Sequence, residues 1–405
     1  MSTLRSRFAP SVQRGFGSFV VASVIVACGG SPSSAVGEGE HAIIKGTASD
    51  ESQNAVVLLV MIDRGEGGIG QCTGTMLAPN LVLTARHCVS STQEGIACKA
   101  DGTPIAGGRI SKNKAAADIY VVTGTQRPTR PEANGQGAKL ILNDATNLCN
   151  NDIALVVLKE PIANVPIMPV RLDGPAVKGE LLTAVGWGVT DKTQSPTTRQ
   201  QRTGIPVTAG AGDSSEQTGP SEFAVGESIC SGDSGGPAIS ETTGAIIGVV
   251  SRGGNGTQPT QNPATSCIGT NASNIYTDVS GFKDLILQGY AEAGQDPWIE
   301  GGPDPRLAKD GEACTENGAC RSNACLSGKC TASCVKDACA QGTTCQDSGG
   351  LKVCLPGGAN ADGTTTTTTT GCSASGGASS GSSVGVLALA FGAAFAFARR
   401  RRAAR

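Results

Sequence analysis

The sequence has very little histidine: His41 and His87 are the two in 405 residues. A reaction that needs an imidazole base therefore has two candidates for it. Aromatic residues make up 3% of the chain while glycine occurs 57 times, which argues against a helical bundle and favours a loop-rich β protein. The net charge of −2 gives no reason to expect a nucleic acid as partner.

The chain also lacks an apolar run of the roughly 20 residues that a membrane-spanning helix needs. Near its start, three arginines precede FGSFVVASVIVA, which ends at Ala27 before Cys28. This pattern predicts an export signal over 1–27. It resembles bacterial lipoprotein signals, in which Cys28 would be lipidated and become the first residue. An ordinary signal peptide cut nearby, with Cys28 incidental, is the alternative.

The other end of the chain, 372–405, combines small residues, the apolar run VGVLALAFGAAFAFA and an arginine cluster. It resembles the MYXO-CTERM sorting tails of bacterial surface proteins, with Cys372 at the processing position. A plain C-terminal membrane helix is the alternative, and the shortness of the run counts against it. Residues 357–371 predict a flexible or glycosylated spacer. We therefore expect an exported protein, either secreted or attached to the cell envelope by its tail or a lipid.

Sixteen cysteines predict an oxidising compartment. Apart from Cys28 and Cys372, six lie between 43 and 298 and eight between 311 and 356. Both numbers are even, as two separately closed disulfide frameworks require. The eight fall within about forty residues, which leaves no room for an apolar core. Four disulfides should therefore stabilise a module over 312–356, after a linker at 299–311, with one of roughly a hundred connectivities.

From 43 to about 280, short apolar runs alternate with Gly, Pro, Asn and Asp. Enrichment of Val and Ile between turn signals predicts the strands of an all-β sandwich or barrel. Apolar residues at helical spacing after Ser280 predict a closing helix over 280–294. The runs expected as strands include AVVLLVMI (55–62), NLVLTA (80–85), IALVVL (153–158), LLTAVGW (181–187) and AIIGVVS (245–251).

Three segments contain residues suited to acyl transfer: TARHC with His87, NNDIALVVL with Asp152, and CSGDSGGP with Ser234. A serine hydroxyl is a poor nucleophile unless a base lies within hydrogen-bond reach. His87 is the candidate base, because His41 begins the stretch HAIIKG, which looks like a place where cutting before Ile43 makes a new chain end and would remove or displace His41. Asp152 would orient the His87 ring and stabilise its charged form. Unlike Asp118, Asp144 and Asp191, Asp152 directly precedes an apolar strand.

These segments resemble the trypsin-like serine peptidases of the chymotrypsin superfamily over 43–298. The resemblance includes GDSGGP with Cys230 four residues before Ser234, GWG at 186–188, YTDV at 276–279, and the chain order His, Asp, Ser. It implies two six-stranded antiparallel β-barrels with a C-terminal helix. It also implies a serine endopeptidase that acts on protein or peptide substrates through an acyl-enzyme. No cofactor or metal ion is implied, and no calcium-ligand cluster stands out.

By the same resemblance, the amide groups of Gly232 and Ser234 form the oxyanion hole. The family is activated by a cut that makes a new amino terminus, here Ile43 of Ile-Ile-Lys-Gly, which would pair with Asp233. Residues 28–42 would then be a propeptide. The usual cut follows Arg or Lys, but Ala42 precedes this one. We therefore expect an activating protease of another specificity, or later trimming.

The resemblance also implies the substrate contacts. Ser228 stands where members that cleave after Arg or Lys have an aspartate, so a neutral or apolar residue is expected before the scissile bond. Ser251, Arg252 and Gly253 would form the edge that pairs with the substrate backbone. Arg252 replaces a tryptophan, and Asn274 replaces a glycine and could fill or polarise the pocket.

Two of the family's disulfides are implied, Cys72–Cys88 and Cys230–Cys267. Cys98 and Cys149 are then left as a third, non-standard pair. A catalytically idle homologue that acts as a surface-binding protein is the main alternative, although such homologues usually lose one of the three catalytic residues. A third hypothesis makes the cysteine-rich module the functional part, as a binding or spacer element.

Overall fold

The computed structural model describes residues 43–64, 67–130, 132–190, 196–215, 218–257, 262–334 and 339–356. The predicted signal, propeptide, spacer and tail lie outside these residues, together with Cys28, His41, Ala42, Asp191 and Cys372. Within the described ranges, no helix has the length and apolar character needed to cross a membrane.

Strands form most of the regular structure in the described part of the chain. In chain order they are β1 Thr47–Ala48, β2 Val56–Asp63, β3 Gly68–Ala78, β4 Leu81–Thr84, β5 Ser90–Thr92, β6 Ala97–Cys98, β7 Pro104–Ala106, β8 Ile110–Asn113, β9 Ile119–Val122, β10 Gly135–Leu142, β11 Ala154–Leu158, β12 Leu181–Gly186, β13 Gln200–Ala209, β14 Glu222–Val225, β15 Pro237–Ser240, β16 Ile246–Gly254, β17 Ser273–Asp278, β18 Cys325–Leu326, β19 Lys329–Cys330, β20 Thr343–Ser348 and β21 Leu351–Pro356.

The described α-helices are short and few. They are α1 Arg86–Val89 and α2 Lys283–Ala293. Single 3₁₀ turns occur at Glu51–Gln53, Ala116–Asp118, Pro263–Ser266, Val279–Phe282 and Asn317–Ala319.

The first barrel closes in the order β10-β11-β4-β3-β2-β9. The predicted runs at 55–62, 80–85 and 153–158 form β2, β4 and β11. All five residues of β11 are buried, because α2 packs against the barrel at this strand and comes so close that a Cβ at Gly289 would lie 2.7 Å from Leu155. A strand covered on both sides reads as a continuous apolar run, as this one does.

The second barrel has the order β13-β12-β15-β16-β17-β14 and closes because β13 also pairs with β14. The runs at 181–187 and 245–251 form β12 and β16. Strand β1 pairs with the first two residues of β13, with Thr47 opposite Gln201. Just before β1, Ile43 is fully buried in the second barrel's core beside Leu182 and Phe223. The predicted all-β fold of two six-stranded antiparallel barrels is confirmed.

The closing helix starts later than predicted. The α-helix begins at Lys283, because residues 279–282 form a 3₁₀ turn instead. Ser280 is not a helix cap: Asp278 caps this turn, and its carboxylate accepts hydrogen bonds from the amide and hydroxyl of Ser280 at 2.9 and 2.7 Å. Gly294 ends the helix with a φ of +67°, where a side chain would be strained. The buried helix face consists of Ile286, Gly289, Tyr290 and Ala293.

The cysteine-rich region contains four disulfides, and in each half the first cysteine joins the third and the second joins the fourth. They are Cys314–Cys325, Cys320–Cys330, Cys334–Cys345 and Cys339–Cys354. The segment predicted as a linker is bonded at both ends. Glu300 pairs with Arg171 of the two-barrel part at 2.7 Å, and the Gly311 amide donates to the Cys330 carbonyl at 2.7 Å.

Candidate active site

His87 and Asp152 meet although 65 positions separate them. His87 lies on α1 directly after β4, and Asp152 lies just before β11. These two strands pair with Thr84 opposite Ala154, which brings both residues to the same end of the first barrel. His87 Nδ1 is 2.8 Å from Asp152 Oδ2, and the His87 amide donates to Asp152 Oδ1 at 3.0 Å. The carboxylate therefore sets both the position and the tautomer of the ring.

Asp152 is fully buried, yet it is held in its charged form. Burial favours the neutral acid, but the His87 charge and the hydrogen bonds from His87 and Ser251 outweigh it and lower the pKa of Asp152. Burial likewise opposes the charged imidazole, but Asp152 outweighs it and raises the pKa of His87. The pair therefore provides a base that is stronger than a free imidazole.

The backbone of Ser234 lies close to helix α1, which carries His87. Its carbonyl oxygen accepts a hydrogen bond from the Thr73 amide of β3 at 2.8 Å, and the sulfur of Cys88 is 3.7 Å from the same oxygen. Because Cys88 follows His87 directly, the backbone of the predicted nucleophile lies next to the helix that carries the predicted base. The side chain of Ser234 is partly exposed, as contact with a substrate requires.

Gly232 adopts a backbone conformation that requires glycine. Its φ is +97°, and a Cβ at this position would lie 2.8 Å from the Gly188 Cα. The Gly232 carbonyl accepts from the Thr73 hydroxyl at 2.9 Å, and the Ser231 carbonyl accepts from the Val189 amide at 2.7 Å. Since a trans peptide points its N–H opposite to its C=O, the Gly232 amide points away from Val189.

Asp233 is buried beneath this turn with two backbone donors. Its carboxylate accepts from the Gly188 and Cys230 amides at 2.8 and 2.9 Å. A Cβ at Gly186 or Gly188 would come within 2.2 or 2.5 Å of it, so the glycines of GWG make room for this carboxylate. Burial raises the pKa of Asp233 to about 7. Among the described residues, no ion pair joins Asp233 to a cation.

The predicted specificity residues also come together. Ser228 is fully buried, Asn274 is 1% exposed, and Asn274 pairs in register with Gly253. The Asn274 amide nitrogen donates to the Gly226 carbonyl at 2.8 Å and lies 3.5 Å from the Ser228 hydroxyl. Asn274 therefore lies between the two segments that the resemblance assigns to the substrate pocket.

Arg252, which replaces the expected tryptophan, forms a bidentate ion pair with Glu222 at 2.7 and 2.8 Å. Glu222 is fully buried and also accepts from the Asn150 and Gly219 amides, each at 2.8 Å. It thereby connects the predicted substrate edge to the segment before Asp152. Sequence reasoning did not identify Glu222; the one signal was an arginine at a normally aromatic position, which needs a buried partner.

Ser251 has a contact that sequence reasoning did not assign. It was predicted only as part of the substrate edge, but its hydroxyl donates to Asp152 Oδ2 at 2.7 Å. The side chain therefore supports the buried carboxylate of Asp152, while its backbone lies at the start of the predicted substrate edge.

The six cysteines of the two-barrel part form Cys72–Cys88, Cys98–Cys149 and Cys230–Cys267. The non-standard bridge joins the hairpin β6–β7 to the segment before Asp152. His87 lies close to the sulfurs of Cys72 and Cys88, a grouping that would suit a metal ion if the thiols were free. Because both sulfurs are in a disulfide, neither is available as a thiolate ligand.

Comparison with known proteins agrees with this geometry. The family model Trypsin matches residues 43–286, which is more than half of the chain. A trypsin of Saccharopolyspora erythraea is 23% identical over 229 residues, covering 54% of this chain and 86% of that protein. Trypsin eta of Drosophila erecta is 26% identical over 241 residues, covering 53% and 76%. Phenoloxidase-activating factor 3 of Holotrichia diomphalia is 26% identical over 241 residues, covering 54% and 63%. The chain therefore belongs to the trypsin family of serine peptidases.

Proposed function

We propose that this chain is an exported serine endopeptidase whose catalytic residues are Ser234, His87 and Asp152. The observation that supports this most directly is the 2.8 Å contact between His87 Nδ1 and the buried carboxylate of Asp152, beside the backbone of Ser234. An idle homologue would have no need to keep a buried charge paired with a histidine, because burying such a charge is costly.

The reaction follows from these positions. Ser234 Oγ attacks the substrate carbonyl carbon while His87 accepts the hydroxyl proton on Nε2. Asp152 stabilises the charged ring through Nδ1, and the Gly232 and Ser234 amides bind the oxyanion. The C–N bond then breaks as His87 returns the proton to the leaving amine, which leaves an acyl-enzyme. A water molecule, deprotonated by His87, hydrolyses this ester and restores Ser234.

Activation by a cut before Ile43 is part of the proposal. The Ile43 side chain is already fully buried in the second barrel, and Asp233 is a buried carboxylate with a pKa raised to about 7. A new amino group at Ile43 would give this carboxylate a cation, and the turn that contains Gly232 and Ser234 would be stabilised with it. The same cut separates Cys28 from the peptidase, so that the C-terminal tail would be the remaining attachment.

For the substrate, we propose a neutral or apolar residue before the scissile bond, because the pocket residues Ser228 and Asn274 are uncharged. Backbone pairing along residues 251–253 would hold the peptide, as strand addition to a sheet edge does. The seven disulfides of the described residues support export to an oxidising compartment. We assign 43–298 to the peptidase, 312–356 to a disulfide-bonded spacer or binding module, and 372–405 to surface attachment.

Replacement of the nucleophile tests the enzyme assignment. Ser234→Ala should abolish peptide hydrolysis and labelling by a fluorophosphonate probe in chain cut before Ile43. Ser111→Ala is the matched control. Ser111 is exposed on β8 and its hydroxyl donates only to the Ser91 carbonyl among the described contacts, so activity and labelling should be unchanged. Cut wild-type protein that is neither labelled nor active would contradict the enzyme hypothesis and favour an idle binding homologue.

A further inference from the structure

The side chain of Asn274 spans the gap between segment 226–230 and strand β16, which diverge from the catalytic centre. Segment 226–230 leads to Ser234, and β16 leaves the centre at Ser251, whose hydroxyl contacts Asp152. Asn274 lies between them. Its nitrogen donates to the Gly226 carbonyl at 2.8 Å, and its oxygen lies 2.0 Å from where a Cβ on residue 253 would be.

This position restricts what can enter the gap. Asn274 is 1% exposed and Ser228 is fully buried, so neither is a loose surface side chain. A long substrate side chain would have to displace a hydrogen-bonded buried amide, which leaves polar groups unpaired. A large apolar side chain would also desolvate that amide without replacing its contacts. Lysine or arginine would find the uncharged Ser228 and Asn274, and the one carboxylate within segment 226–230, Glu227, is already paired with Lys45 at 2.6 Å.

An alanine before the scissile bond has only a methyl side chain, which meets none of these obstacles. The residue before the activation cut is itself an alanine, Ala42. Resting on the proposed function, we propose that Asn274 limits this peptidase to a small uncharged residue before the scissile bond. We further propose that the Ala42–Ile43 bond of a second copy of this chain is a substrate, so that the enzyme activates itself between molecules. Ile43 and Ile44 are fully buried here, so this segment must leave its own barrel before it is cut.

The side-chain limit is tested on enzyme whose activation does not depend on it. The full chain with Ala42→Arg is cut by an immobilised arginine-specific peptidase, which yields the wild-type mature sequence from Ile43. Its kcat/KM is then measured on peptides that differ only in alanine, phenylalanine or lysine before the scissile bond. We expect alanine to be preferred by at least about 10-fold, since single methylene differences in a pocket reach about 10- to 200-fold. Equal or better cleavage after phenylalanine would overturn the role of Asn274.

Self-activation is tested on full-length Ser234→Ala chain, which cannot cut itself. Incubation with the matured enzyme should release a chain that begins at Ile43. In this substrate Ala42→Ser should still be cut and Ala42→Phe should not. Matured Asn274→Gly enzyme should recover cleavage of the Ala42→Phe chain, because the gap is then open; Asn274→Ser, which removes less, provides the same comparison if the glycine variant does not fold.

The outcomes distinguish self-activation, the pocket assignment of Asn274 and the proposed function from one another. Matured enzyme that hydrolyses the alanine peptide but leaves the Ser234→Ala chain intact would refute self-activation alone. An unchanged preference in the Asn274 variants would refute the pocket assignment. Matured enzyme that hydrolyses no peptide and resists the fluorophosphonate probe would instead contradict the proposed function itself.

Discussion

The buried carboxylate of Asp233 should make the uncut chain less stable at alkaline pH than the cut chain. In the folded chain the pKa of this group is raised from 3.8 to about 7 by burial. One pKa step corresponds to about 1.4 kcal/mol. Ionised Asp233 without a cation therefore lowers the free energy of unfolding by roughly 4 kcal/mol relative to its neutral form.

The direction of the pH effect follows from linkage. A carboxyl whose folded pKa lies above its unfolded pKa contributes full stability below the unfolded value and loses it as pH rises through the folded value. With an unfolded pKa of 3.8 and a folded pKa of about 7, the free energy of unfolding should fall by roughly 3 kcal/mol between pH 5 and pH 8. Once an amino group at Ile43 pairs with Asp233, its pKa should fall and this loss should disappear.

The assay is urea unfolding at pH 5 and pH 8, followed by the fluorescence of the two tryptophans, of which Trp187 is buried next to Gly188. Ser234→Ala prevents self-digestion, and Ala42→Arg permits external cutting. From pH 5 to pH 8, the free energy of unfolding of the uncut Ser234→Ala chain should fall by roughly 3 kcal/mol more than that of the uncut chain that also has Asp233→Asn. A difference below about 1 kcal/mol, or an equal loss in cut and uncut chain, would refute the reasoning.

Three further predictions concern Asp152 and the residues near it. Asp152→Asn removes the charge that raises the pKa of His87, so kcat should fall by about 10⁴-fold and the acid limb of the kcat/KM profile should move to lower pH. In wild type, activity should decrease as pH falls through the raised pKa of His87, since only the neutral ring accepts the proton from Ser234; a pH-independent profile would contradict this role. Glu222→Ala leaves the Arg252 guanidinium without its buried partner and should lower stability by about 3–5 kcal/mol in urea unfolding. A loss of stability below about 1 kcal/mol would show that water solvates Arg252 in place of Glu222, which would contradict the prediction.

Much of the site could be predicted because its chemistry is local in sequence. GDSGGP places Ser234 between glycines that permit its turn, and Asp152 and His87 each adjoin an apolar run that became a buried strand. A strand with both faces covered needs a continuous apolar run, so such strands are visible in the sequence. The helix start was predicted wrongly because both Ser280 and Asp278 can cap, and it is Asp278 that caps, at a 3₁₀ turn that precedes the α-helix.

The sequence by itself determined the all-β class, the even division of the cysteines and the three residues expected to catalyse hydrolysis, because these depend on residue type and near neighbours. The division into two six-stranded barrels was implied by the resemblance to trypsin-like peptidases. Tertiary structure alone decided what distant side chains do to one another. It paired Arg252 with Glu222 and placed Asn274 between Gly226 and Gly253. It also selected one cysteine connectivity and buried Asp233 without an ion pair among the described residues. Burial and hydrogen-bond geometry depend on how the whole chain folds, so no local pattern of residues could have shown them.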